Sequence, residues 1–153
     1  MGLQWYIIKI NKMISRHISY KEGVYSTTAT RKGITNVPKQ EVKRNMELIA
    51  EKVFEPLRNW VGGPIRINSF GGSYTSQHCK GQAMDIDDTS CKKTNAEMYE
   101  WIKENLDFDQ MIWEFGTDDN PSWVHVSYVS KDKNRNRCLK AYKENGTTKY
   151  SVI

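Results

Sequence analysis

Residues 83–88 and 123–128 most narrow what this chain can become. Ala83-Met84-Asp85-Ile86-Asp87-Asp88 sets apolar Met84 and Ile86 against acidic Asp85 and Asp87. Trp123-Val124-His125-Val126-Ser127-Tyr128 sets Val124 and Val126 against Trp123, His125 and Ser127. A period of two is that of a β-strand with one face in a core and the other free. The free faces here carry side chains that titrate or bind metals. The chain is therefore expected to build a sheet with one packed side. On its other side His125 points where Asp85 and Asp87 can also point.

The other elements follow from similar periodicities. Pro38 opens a helical pattern in which Val42, Met46, Ile49, Val53, Leu57 and Trp60 recur at three- and four-residue steps, one apolar helix face. Pro56 is expected to kink or interrupt that helix, and Gly62-Gly63 to end it. Residues 64–69 read as a strand, followed by a Gly/Ser loop at 71–76. Thr94-Asn95-Ala96-Glu97 is a capping-box pattern and predicts a helix from Asn95 to Asn105. Gln110 to Glu114 and Trp123 to Tyr128 predict an antiparallel hairpin across the turn-rich segment Gly116 to Pro121. A second hairpin is expected from Cys138 to Val152 around Asn145-Gly146. Residues 14–37 are polar, hold turn-formers and read as irregular. The expected class is α+β: a small antiparallel sheet with flanking helices. Residues 1–13 read as an N-terminal extension, with Met13 a candidate natural start, and 14–153 as a single domain.

At 153 residues the chain is long enough to bury a core. Its composition, 38% hydrophobic and 27% charged, excludes collagen-like and disordered classes. The net charge of +5 suits an anionic partner such as a cell wall or nucleic acid. The basic residues are scattered without a long Lys/Arg run, so ordinary solubility accounts for them and no nucleic-acid partner is expected. Cys79, Cys91 and Cys138 are odd in number and form no close pair, which argues against a disulfide scaffold and for synthesis in a reducing compartment. Cys79 follows His78, and on an extended backbone neighbours point opposite ways, so Cys79 reads as a packing residue. The apolar run Trp5 to Ile10 is too short to span a bilayer and lacks the flanks of a signal peptide. Synthesis in the cytoplasm is the expectation, with any extracellular target reached by another route, and a monomer is expected.

The chemistry concentrates around Ser76-Gln77-His78-Cys79-Lys80-Gly81-Gln82-Ala83-Met84-Asp85. Two imidazoles and one carboxylate can hold a zinc ion and leave its fourth position open, the arrangement of a catalytic site. Catalysis there needs a base to take a proton from the attacking water. Glu114, at the end of the strand expected to pair with the His125 strand, is the best placed; Asp118 and Asp119 read as turn residues. Asp87 or Asp88 is a candidate to hold His78 from behind. Trp123 shares the His125 face and is a candidate cleft wall that contacts substrate. Ser76 is placed either to hydrogen-bond near the site or to cap its loop. No nucleophile elbow and no phosphate-cradling glycine loop is present.

These residues resemble the zinc D-Ala-D-Ala carboxypeptidase family, which includes peptidoglycan endopeptidases, and most of all its compact phage and bacterial branch. The family's Ser-x-His-x-x-Gly-x-Ala-x-Asp stands here as Ser76, His78, Gly81, Ala83 and Asp85. Phe108 to Glu114, Trp123 to Tyr128 and the helix around Phe54 to Arg58 look like that branch as well. The resemblance spans roughly residues 14 to 142. It implies a hedgehog-like or D-Ala-D-Ala-peptidase-like fold, zinc held by His78, Asp85 and His125, and Glu114 as general base. It implies hydrolysis of stem peptides or cross-links, in an endolysin-type setting that acts on the wall after release from the host cell. The family's glutamate three residues before the last histidine is Ser122 here, so Glu114 stands in for it. The family's Tyr-Arg-Ser segment is missing where Asn68-Ser69-Phe70 runs into Gly71-Gly72-Ser73, which leaves Arg66 as the nearby cation for a substrate carboxylate. The competing expectation is a zinc-binding but non-catalytic domain, a phage structural component or a wall-binding module.

Overall fold

The computed structural model describes residues 13–23, 40–70 and 77–153. Its elements run β1 (Met13–Ser15), β2 (Ile18–Ser19), α1 (Tyr20–Gly23), α2 (Gln40–Ile49), a π-helical turn (Ala50–Phe54), α3 (Glu55–Val61), β3 (Ile65–Ser69), β4 (Ala83–Asp88), α4 (Asn95–Asn105), β5 (Gln110–Glu114), β6 (Trp123–Ser127), β7 (Arg137–Glu144) and β8 (Thr147–Val152). Six strands form one mixed sheet in the order β3-β4-β6-β5-β7-β8. The helices cover one face of it. Met46, Ile49, Val53 and Leu57 from α2, the π turn and α3 are fully buried, as are Met98, Tyr99 and Ile102 of α4. They share a core with Met84 and Ile86 of β4, Met111 of β5, and Val124 and Val126 of β6. Alternation therefore leaves Asp85, Ile112, Glu114, Trp123 and His125 on the opposite face.

Local chemistry explains the element ends. Thr94 accepts from the Glu97 N–H at 3.1 Å and its own N–H donates to Glu97 at 2.7 Å, closing the capping box that starts α4. Asn145 and Gly146 take φ of 50° and 77°, the left-handed pair that a two-residue hairpin turn requires. Pro56 lies inside a helical run that continues without a break from Gln40 to Val61, so its ring and its missing N–H have to be accommodated there. The interruption expected there takes the form of the π-helical turn just before it, where the Glu55 N–H reaches back to the Ala50 carbonyl.

Two expectations are corrected. The sheet is not purely antiparallel: β7 pairs with β5 in parallel. After β6 the chain crosses back and is tied down beside the start of β5, with the Asn136 N–H on the Phe108 carbonyl at 2.9 Å and the Arg137 N–H on the Asp109 carbonyl at 3.0 Å. These ties put β7 on the free edge of β5. Residues 13–23 are not irregular either. β1 and β2 pair antiparallel, and Glu55 of α3 accepts from Ser15 Oγ at 2.5 Å and from the His17 N–H at 2.8 Å. Burial pushes the Glu55 carboxyl up, but the His17 imidazole, 2.6 Å away, together with Ser15 Oγ and the His17 N–H, outweighs it and its pKa is lowered. The expectations for residues 1–12, 24–37 and the loop 71–76 lie outside the described residues, as does Pro38. Among the described residues no helix is long and apolar enough to cross a membrane.

Asn95 joins α4 to the sheet. It accepts from the Asp88 N–H at 2.8 Å and donates to Asp87 at 2.8 Å and to the Pro121 and Ser122 carbonyls, each at 3.2 Å. It is also buried. Asn95→Ala strands these groups and is expected to lower stability by about 1–3 kcal/mol in urea unfolding. A loss within error of zero would show that the bridge is dispensable.

Candidate metal centre

β4 and β6 pair antiparallel with Asp85 directly opposite His125. Residues so paired share a face and lie within side-chain reach. The Asp85 and His125 side chains meet at 3.0 Å, Oδ1 to Nδ1. His78 arrives from outside the sheet. Gln77 to Gly81 form a compact turn, in which the Gly81 N–H reaches the His78 carbonyl at 3.0 Å and the Gln82 N–H the Gln77 carbonyl at 2.9 Å. Gly81 takes a φ of 69°, and a Cβ there would lie 2.5 Å from the Val42 carbonyl oxygen. Only glycine fits both the dihedral and the space. The turn swings His78 Nε2 to 3.4 Å from Asp85 Oδ2.

The three ligand atoms lie within 4.8 Å of one another. His125 Nδ1 lies 3.0 Å from Asp85 Oδ1 and His78 Nε2 lies 3.4 Å from Asp85 Oδ2, so each imidazole faces its own carboxylate oxygen at a spacing close to the roughly 3.3–3.6 Å between nitrogen and oxygen ligands of a tetrahedral metal. The group can hold a metal ion. The outer side of His78 fits the same role. Its Nδ1 lies 3.0 Å from the Phe70 carbonyl, which only accepts, so Nδ1 carries a proton; Nε2 faces Asp85 and, once its own proton leaves, can give its lone pair to a metal. Ser69 Oγ stands 3.4 Å from the same nitrogen.

Electrostatics separates the two carboxylates of the cleft. Burial pushes Asp85 up, but hydrogen bonds from His125 and His78 outweigh it and hold its pKa at about 2. For His78, burial opposes charging, while the Asp85 contact and the Phe70 carbonyl raise its pKa above the usual value. Glu114 is buried at the end of β5, opposite Trp123, and gains no such partner among the described residues. Burial, then the charge of Asp85, raise its pKa to about 7 against the opposing effect of His78. A carboxyl poised near neutrality suits proton transfer.

These groups share one cleft of about 370 Å³, lined also by Gln77, Gln110, Ile112, Trp123, Leu139 and Tyr150. His78, Asp85, His125, Glu114 and Trp123 thus line one cleft. Trp123 stacks edge-on against Phe115, with centroids 5.5 Å apart. Arg66 faces Asp87 across β3 and β4, so it shares the ligand face one row beyond Asp85, but it is not among the residues lining the cleft. Ser76 lies outside the described residues. Two readings change. Cys79 is exposed rather than packed, because the chain turns at 77–81 instead of extending. Asp87 accepts from Asn95 at the start of α4, and Asp88 accepts from the Ser90 N–H at 3.0 Å in the turn after β4, so their carboxylates serve these contacts rather than His78.

One supporting set was not visible in the sequence. Asp109, fully enclosed, accepts from Gln77 Nε2 at 2.8 Å and from Arg135 Nε and a terminal nitrogen at 2.8 and 2.7 Å. The bidentate Arg135 contact holds Asp109, which fixes Gln77 and so the start of the His78 turn. The pairing joins residues 26 and 32 positions apart, a separation that no local pattern announces.

The raised pKa of Glu114 has a stability consequence. Its folded value of about 7 exceeds the ordinary 4.5, so the folded chain holds this proton more tightly than the unfolded one. That contribution is full below about pH 4.5 and is lost as pH rises through 7. In metal-free protein, Glu114→Gln should gain stability relative to wild type between pH 4.5 and 8, on the order of 2 kcal/mol. Urea unfolding at the two pH values in chelator measures this, and a difference independent of pH would contradict it.

Compared with known proteins, the chain matches no protein-family model and no curated protein.

Proposed function

We propose that the protein is a zinc-dependent peptidase that hydrolyses peptide bonds in peptidoglycan stem peptides or cross-links, as a carboxypeptidase or an endopeptidase. The observation that carries this is Glu114: a buried carboxyl with a pKa of about 7, in the same cleft as His78, Asp85 and His125. A metal-binding module has no need of such a group, whereas hydrolysis needs a base that is also an acid. The peptide class comes from the resemblance of Ser76 to Asp85 and of Trp123 to Tyr128 to the zinc D-Ala-D-Ala carboxypeptidases.

Zinc held by the two imidazoles and Asp85 would supply Lewis-acid polarisation of the scissile carbonyl and of the attacking water. The chain's own residues do the rest. The Phe70 carbonyl keeps His78 in the ligating tautomer. Glu114 accepts the proton of the attacking water and passes it to the leaving amine. Trp123 walls the cleft beside Glu114 and aligns the substrate backbone. The excess positive charge favours approach to an anionic wall. A phage lysin is the setting that suits an enzyme made in the cytoplasm and released at lysis.

Purified cell walls test the reading. Zinc-loaded wild type should clear wall turbidity and release new amino or carboxyl termini. Glu114→Gln should lose about 10²–10⁴-fold in rate while still binding zinc. Zinc-loaded wild type that binds walls of several peptide compositions and cleaves none would overturn the proposal and favour the non-catalytic wall-binding module.

A further inference from the structure

The cleft has a second lobe, built by the C-terminal hairpin. Two rows of side chains run across the sheet from the metal centre to its edge. In one, His125 faces Ile112 across β6 and β5, Ile112 faces Leu139 across β5 and β7, and Leu139 faces Val152 of β8. In the next, Trp123 faces Glu114, Glu114 faces Ala141, and Ala141 faces Tyr150. Directly paired residues share a face, so all of these lie on the ligand side. Ile112, Leu139 and Ala141 form a small apolar cluster of their own, separate from the main core. It is aliphatic and lies beside Glu114.

Tyr150 is the unusual member. It is 55% exposed on an edge strand, yet it lines the same cleft as Glu114 and His125. Ala141, the residue between Tyr150 and Glu114, has no side chain beyond its Cβ and is fully buried. That leaves the large Tyr150 side chain room to lean across it towards Glu114. The charge of Glu114 reaches the Tyr150 hydroxyl, whose pKa is raised first by burial and then by that charge. An aromatic side chain half out of water that lines one cleft with Ile112, Leu139 and Glu114 has apolar surface ready for a ligand.

We propose that Tyr150, which lines the cleft together with Ile112 and Leu139, is the wall of an apolar subsite that holds the side chain flanking the scissile bond. This rests on the peptidase reading. Ile112 and Leu139 offer aliphatic surface, so the subsite takes a small apolar side chain and gains little from glycine. Tyr150 is then a specificity-determining residue, and the C-terminal hairpin belongs to the substrate site rather than only to the scaffold.

Pairs of stem-peptide analogues, with alanine against glycine on each side of the bond in turn, test this. Wild type should favour alanine by about 10-fold in kcat/KM in one pair. Tyr150→Phe should keep that ratio. Tyr150→Thr, which removes the ring but keeps a good strand former, should reduce it to below about 3-fold, with KM changing more than kcat. A merely structural tyrosine would lower both substrates alike and leave the ratio intact, which would overturn the subsite. Calorimetric binding of the same peptides to Glu114→Gln, with and without Tyr150→Thr, separates the two claims. Alanine-selective binding through Tyr150 without any cleavage by wild type sinks the peptidase reading alone. Binding that is absent, or indifferent to Tyr150, sinks the subsite.

Discussion

The pairing of β4 with β6 holds the candidate site in place. Asp85 meets His125 only because Met84 and Ile86 share a buried face with Val124 and Val126, which fixes the register from the other side. A slip of β4 by one residue against β6 would send Met84 and Ile86 to the open face and Asp85 into the core. The cost of that slip, two large apolar side chains lost to water, would be on the order of 3–6 kcal/mol. The metal centre therefore needs little stabilisation of its own. It is carried by the packing of helices α2, α3 and α4 against the far side of the sheet.

Asp85 and Glu114 stand on that face in different surroundings, and the fold drives them to opposite protonation behaviour. Asp85 has two imidazoles within 3.4 Å and stays ionised. Glu114 has burial and a neighbouring anion, and holds its proton to about pH 7. Two carboxyl groups with pKa values pushed apart in one cleft is the pattern expected when one binds and the other moves protons. Leaving Glu114 without a close partner is destabilising, and a chain selected for stability alone would not keep it there.

Much of this was legible in the sequence because it rests on local periodicity. The strands around Asp85 and His125 and the helix Asn95–Asn105 follow from alternation and a capping box, and the hairpin around Asn145-Gly146 from its turn residues. Alternation put Asp85 and His125 on the free face, whereas His78, which sits in a turn outside the sheet, entered the candidate set through the motif from Ser76 to Asp85 and the resemblance it carries. Cys79 was misread because Gly81 and two backbone hydrogen bonds turn the chain where an extended segment was assumed. The parallel placement of β7 beside β5 could not be read, since it depends on long-range ties through Phe108, Asp109 and Asn136. With that placement hidden, Leu139 and Tyr150 could not be assigned to the cleft, nor could Asp109 and Arg135 be seen to brace the His78 turn.

Whether His78, Asp85 and His125 form one metal site is read by equilibrium dialysis of chelator-stripped protein against zinc, followed by metal analysis. Wild type is expected to take up one zinc per chain and His125→Ala to lose it, with the far-UV circular dichroism unchanged. A folded wild type that takes up no zinc, or a His125→Ala variant that keeps it with undiminished affinity, would rule out the three-residue site.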